Sequence, residues 1–440
     1  LLISLSTALL TAEDAEKKSV YEERREKIAY GIDSEVAALI DTLVEEHDDR
    51  FIDELLQLFD STLNAGLQEK IIGFFDQLDL DDAVDPVFLT LQREWDQELS
   101  RKLTSTMLQY LKTRQSPEIT SFIAENLVPD RDETISIAAI SAVGVSGRKE
   151  FAGLLLDGLE EDDVSSIKRA ELISAVGLLG DPDAVLLLSD LLLDETEDTS
   201  IRWRSADALG EIGGQESLDA LLAVFSSSDP ILRSKAAAAL SGFEKAEVED
   251  ALIQALRDSF WRVRVAATQA LGELKSEKAV DILIYKAKSD PDIRNVRLAS
   301  LAALGEIASS KAVDFLYDTY LDEKALIQVR TASLHALLEA DPGRSLKAVK
   351  KLFETEIGEK ESAIVIETAK LLSRSESDSV EELYAQMLTL KDRRDLVIYA
   401  LRGIRINKLT RLKGEVEALT GDDVDQIIRK NALSTLETLE

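Results

Sequence analysis

Cysteine is missing from all 440 residues. That absence excludes disulfides, thiolate metal sites, a cysteine nucleophile and an acylated lipobox anchor. Histidine occurs twice, at His47 and His335, which leaves almost nothing for imidazole-based metal binding or general-base catalysis. Proline (7) and glycine (20) are scarce, so there are few breaks to interrupt helices. Positive charge is in deficit: 51 Lys and Arg face 84 Asp and Glu, a formal net charge of −33. Binding nucleic acid depends on cations that neutralise phosphates, so no nucleic-acid partner is expected. No stretch is apolar for long enough to span a bilayer as a helix.

What is present reads as a folded chain, with 45% hydrophobic and 31% charged residues dominated by Ala, Leu, Glu and Lys. The apolar run Leu1 to Ala12 (LLISLSTALLTA) precedes a charged stretch from Glu13. It reads as the core and cleavage region of a truncated secretory signal peptide, too short to span a membrane, and points to a periplasmic or otherwise extracytoplasmic home. Residues 13–35 are expected to form a charged N-terminal helix or cap, and residues 36–440 a repeat solenoid.

The repeat is legible at a period of about 33 residues. Arg169, Arg202, Arg233, Arg264, Arg297 and Arg330 stand 31 to 33 residues apart, each followed by an Ala-Leu-Gly-like run such as Ala270-Leu271-Gly272 or Ala303-Leu304-Gly305. Weaker copies extend upstream through Ser136, Lys102 and Lys70, and downstream through Ser362, Arg394 and Arg429. Within one copy, Val263, Ala267, Ala270, Leu271 and Leu274 fall on one face at helical spacing, and a second helix starts near Ala279-Val280. Asp-Pro pairs at Asp181, Asp229, Asp290 and Asp341 mark turns. No segment alternates with period two. Two helices cannot bury their apolar faces alone, so about twelve such pairs must stack. The expected fold is all-α, a right-handed α-α superhelix clearest over residues 136–350, with one helix layer outside and the other lining a concave face.

The pattern V-R-x-x-A-x-x-A-L-G-x-[IL]-G, followed by A-V-x-x-L, resembles HEAT repeats of the phycobilisome-lyase type. The resemblance implies a structural ladder in which Arg202, Arg233, Arg264, Arg297 and Arg330 join preceding aspartates: Asp229 for Arg233, Asp258 for Arg264, Asp292 for Arg297. The fold by itself carries no single activity.

No catalytic constellation, cofactor site or metal site is expected. Di-iron hydroxylases of similar architecture need several His-Glu pairs, which two histidines cannot supply. The acidic runs Asp157 to Asp163 and Asp190 to Asp198 lack a calcium-loop register and read as solvated helix ends. Two surface features stand out. One is the basic stretch carrying Arg394, Arg402, Arg405, Lys408, Arg411 and Lys413, without an acidic residue from Leu396 to Gly414. The other is Trp203, set between Arg202 and Arg204, since Trp and Arg are favoured contact anchors. The expectation is a non-enzymatic scaffold that binds one or more proteins on its concave helix layer in the cell envelope, with no small-molecule ligand. The alternative is a lyase-type HEAT enzyme acting on a chromophore-protein substrate.

Overall fold

A computed structural model describes residues 20–95, 100–127, 132–161, 164–357, 362–374 and 380–439. The expected signal segment Leu1 to Ala12 and the start of the charged cap lie outside the described residues. The described part of that cap, residues 20–30, is helical. It fastens to the first hairpin: Arg24 donates to Glu46 at 2.7 Å and to Asp48 at 3.0 Å, and Tyr21 stacks on Phe51 with centroids 4.9 Å apart.

The chain divides into two compact units, Leu1–Ala220 and Leu221–Glu440. Each is a stack of helix pairs, and no strand occurs among the described residues. In the first unit the pairs begin with Asp33–Glu46 and Ile52–Ser61 and continue to Ser166–Leu179 and Val185–Leu193. In the second, Pro230–Ala239 pairs with Lys245–Ala255, Trp261–Glu273 with Val280–Ser289, and Ile327–Ala340 with Pro342–Glu356. The helix Gln426–Leu439 closes the series. The expected number of about twelve pairs is met.

Local sequence explains where helices begin. Ser100, Ser116, Ser165 and Asp198 are N-caps whose side chains accept the free backbone N–H groups of the first turn. At Asp181, Asp229 and Asp341 the aspartate caps and the proline occupies the first helical turn, where its missing N–H costs nothing. Asp290-Pro291 behaves differently, because the cap there is Asp292 and the helix opens with a π turn, Ile293–Arg297.

The first helices of successive repeats pack against each other, and the Ala-Leu-Gly run makes this possible. Its leucine is the core residue: Leu209, Leu240, Leu271, Leu304 and Leu337 are all fully buried, each worth roughly 1.5–3 kcal/mol. Its glycine seats the alanine of the next repeat. A Cβ added at Gly177 would lie 2.7 Å from both Cα and Cβ of Ala208, and one at Gly305 would lie 2.8 Å from Cβ of Ala336. The spacing Ala-x-Gly therefore encodes a backbone-to-backbone approach that any side chain at the glycine would block.

Candidate interaction surfaces and the arginine ladder

Within the second unit, Arg233, Arg264 and Arg297 are joined in a relay. Arg233 donates to both carboxylate oxygens of Asp258, at 2.7 and 2.9 Å. The backbone carbonyl of Asp258 accepts from Arg264 at 2.9 Å. Arg264 then closes on both carboxylate oxygens of Asp290 at 3.0 and 2.9 Å, and the Asp290 carbonyl accepts from Arg297 at 2.6 Å. Arg202 and Arg330 likewise donate to carbonyls at the end of the preceding helix, Leu192 at 3.0 Å and Tyr320 at 2.8 Å. Helix C-termini carry partial negative charge, so a guanidinium there satisfies orphan carbonyls and the dipole together.

The pairing differs from the expectation by one repeat. The carboxylate that meets each arginine follows it by 25 to 28 positions: Asp258 for Arg233, Asp290 for Arg264, Glu197 for Arg169 and Glu356 for Arg330. Asp229 and Asp292 instead cap helices, accepting from Ile231 and Asn295 at 2.8 Å. Asp258 does serve Arg264, through a hydrogen bond to its carbonyl and through the attraction between its carboxylate and the Arg264 guanidinium. A residue immediately before a helix is placed to cap it, and its short side chain reaches that turn first. Asp290, Glu197 and Glu356 were the missed partners. Their signal was the constant offset from the arginine, visible once the repeats are aligned.

The electrostatics follow the geometry. The bond from Arg233 holds the Asp258 carboxyl below its ordinary range against the opposing effect of desolvation. For Asp290, burial pushes the carboxyl up, but hydrogen bonds from Arg264, the Asp292 backbone and Lys286 outweigh it and the net shift is downward.

The expected basic stretch is placed on one hairpin of the second unit. Arg394, Arg402 and Arg405 belong to helix Arg394–Ile406, Lys408 occupies a left-handed turn with φ 48°, Arg411 lies in the turn Thr410–Leu412, and Lys413 opens helix Lys413–Glu417. Part of this charge is answered within the unit: Arg394 is 4.0 Å from Asp425, Arg411 is 3.8 Å from Glu381, and Arg405 donates to Ser434 at 3.4 Å. Arg402, Lys408 and Lys413 have no carboxylate within 4.0 Å among the described residues, and Arg402 and Lys408 are exposed. Trp203 sits half-buried in helix Thr199–Ile212.

The histidines have local roles. His47 ends helix Asp33–Glu46 in a left-handed conformation, and Nδ1 of the exposed His335 lies 3.7 Å from Glu339. Of the acidic runs, Asp194 and Asp198 accept from Thr196 and Ser200 at helix ends. No group of three or more potential metal ligands occurs among the described residues, and no described helix is long and apolar enough to cross a membrane.

Comparison with known proteins fits this architecture. Deoxyhypusine hydroxylase of Candida albicans is 34% identical over 83 residues, which are 19% of this chain and 26% of that protein, so the match spans about a quarter of the relative's length. The solved structure of Kap121p bound to Pho4p is similar with a TM-score of 0.40 at 14% identity, over 94% of this chain and 53% of that one. The complex of CpcE and CpcF of phycocyanin lyase from Nostoc is similar with a TM-score of 0.35 at 19% identity, over 55% of this chain and 94% of that one. The family described as spirochaete HEAT repeat protein matches residues 28–435, and the chain belongs to it.

Proposed function

We propose that this chain is a non-enzymatic scaffold that holds partner proteins along one helix layer of its repeat stack, at an extracytoplasmic site in the cell envelope. The observation that carries the reading is the distribution of charge. In a chain of net charge −33, Arg402, Lys408 and Lys413 form a basic surface without carboxylate partners among the described residues. Clustered cations in an acidic molecule attract an acidic surface of a partner and orient its approach. The overall negative charge disfavours nucleic acid. The envelope location is supported by the apolar run Leu1 to Ala12 ahead of a charged stretch.

Crosslinking followed by affinity capture of the tagged chain from separated cell fractions tests this. The expected result is one or two stoichiometric protein partners from the extracytoplasmic fraction, lost in the double variant Arg402→Glu, Lys413→Glu. Recovery from the cytoplasm with a bound chromophore or another turned-over small molecule, and with no protein partner, would overturn it.

A further inference from the structure

The second helices of the stack present a feature that the repeat architecture does not require. Between the segment ending at Phe225 and helix Lys245–Ala255 lies a cavity of about 370 Å³, floored by Leu222, Phe225, Ala251 and Ala255. It is open to solvent, and its volume falls in the range of ligand-sized clefts. Two of its lining residues are alanines, Ala251 and Ala255. One repeat later their places are taken by Ile282 and Lys286, and in the repeat after that by Phe315 and Thr319.

Charge gives this socket a direction. Arg257 stands exposed at its rim, and among the described residues no carboxylate pairs with its guanidinium. The carboxylate beside it, Asp258, is already committed to Arg233. On the next second helix, Val280–Ser289, Tyr285 is 63% exposed and the Lys288 ammonium lies 5.1 Å from the centre of the Phe315 ring. Three other cations on this layer are answered by the preceding repeat: Lys278 by Asp250, Lys311 by Asp281 and Arg344 by Asp314. Arg257 lies outside that arrangement.

We infer that this socket is a peptide-binding site for an extended acidic segment of a partner protein, which inserts an aliphatic or aromatic side chain between Phe225 and Ala251 and sets an adjacent Asp or Glu on Arg257. A desolvated apolar anchor beside a charged rim is the arrangement in which a few residues supply most of the binding energy. Neighbouring helices lie about 8–10 Å apart and an extended chain advances about 3.3–3.6 Å per residue. A residue roughly three positions from the anchor therefore reaches Tyr285 and Lys288. The site is separate from the Arg402 to Lys413 surface and does not depend on it.

The test is selection of a random twelve-residue peptide library, displayed on phage, against the full chain. Enriched peptides are expected to share an apolar residue with Asp or Glu within two positions. Their binding should weaken at least tenfold in Arg257→Glu, which changes only an exposed side chain, and in Ala251→Trp, which plugs the socket. It should be unchanged in Arg402→Glu, and circular dichroism of each variant should match the parent. Three results would overturn the inference: no enrichment, enriched peptides without an acidic neighbour, or peptides indifferent to Arg257→Glu. Peptides sensitive only to Arg402→Glu would also overturn it while supporting the basic surface.

Discussion

Asp258 and Asp290 each join two repeats through two different groups, a carboxylate that accepts from one arginine and a carbonyl that accepts from the next. The Arg264–Asp290 pair is the most enclosed, with side chains 9% and 1% exposed. Removing one member of such a pair strands the other's charge in a poor solvent. Asp290→Ala is therefore expected to cost about 3–5 kcal/mol, read as a lower urea midpoint by circular dichroism, whereas Asp292→Ala should lose only a cap, about 1 kcal/mol. The acid dependence has a definite sign. Both carboxyls titrate lower in the folded chain than their ordinary value near 3.9, so the unfolded chain binds more protons as pH falls. Their contribution is fully present above about pH 5 and is lost as pH drops through the folded values. Thermal unfolding followed from pH 7 to pH 3 should show a flat region and then a decline, and Asp290→Asn should make that decline shallower.

At the scale of the helix, the close approach of consecutive first helices depends on glycine at a fixed place. Gly144 faces Ala175, Gly177 faces Ala208, and Gly272 and Gly305 face Ala303 and Ala336. Because the atoms met include backbone Cα, relief requires whole helices to separate and not a rotamer to change. Gly177→Val is expected to destabilise by about 1–3 kcal/mol or more through overpacking. Gly153→Ala, where an added Cβ would meet nothing within 4 Å, should be neutral or slightly stabilising by about 0.5–1 kcal/mol, because alanine restricts the unfolded chain. A thermal melt of both variants checks the contrast.

For the whole molecule, a stack in which each repeat contacts its neighbours spends its buried groups on those contacts and leaves function to exposed ones. Binding through Arg402, Lys408 and Lys413 should therefore be electrostatic in character. Association with an acidic partner is expected to weaken steadily between 50 and 500 mM salt, as roughly the Debye screening of exposed charges dictates. The Arg402→Glu, Lys413→Glu variant should bind weakly at all salt concentrations and unfold at the parental midpoint. Surface plasmon resonance with a captured partner measures the binding, and a circular dichroism melt measures the midpoint.

Much of this was written in the sequence, and the reason is local. A 3.6-residue apolar period, capping aspartates ahead of prolines and an arginine recurring every 31 to 33 residues each follow from near neighbours along the chain, and they determined the helices, the repeat and its stacking. The partner of each arginine did not follow, because an aspartate next to the helix start looked like the counter-ion but was spent as a cap. The carboxylate that closes the pair arrives from 25 to 28 residues later only when the second helix has folded back. The same holds for the two surfaces. Charge composition marked the Arg394 to Lys413 stretch, but only tertiary structure decided that Arg394 and Arg411 face carboxylates while, among the described residues, Arg402, Lys408 and Lys413 do not. The socket lined by Phe225 and Ala251 could not be read at all, since residues 26 positions apart line one depression only when the chain has folded them side by side.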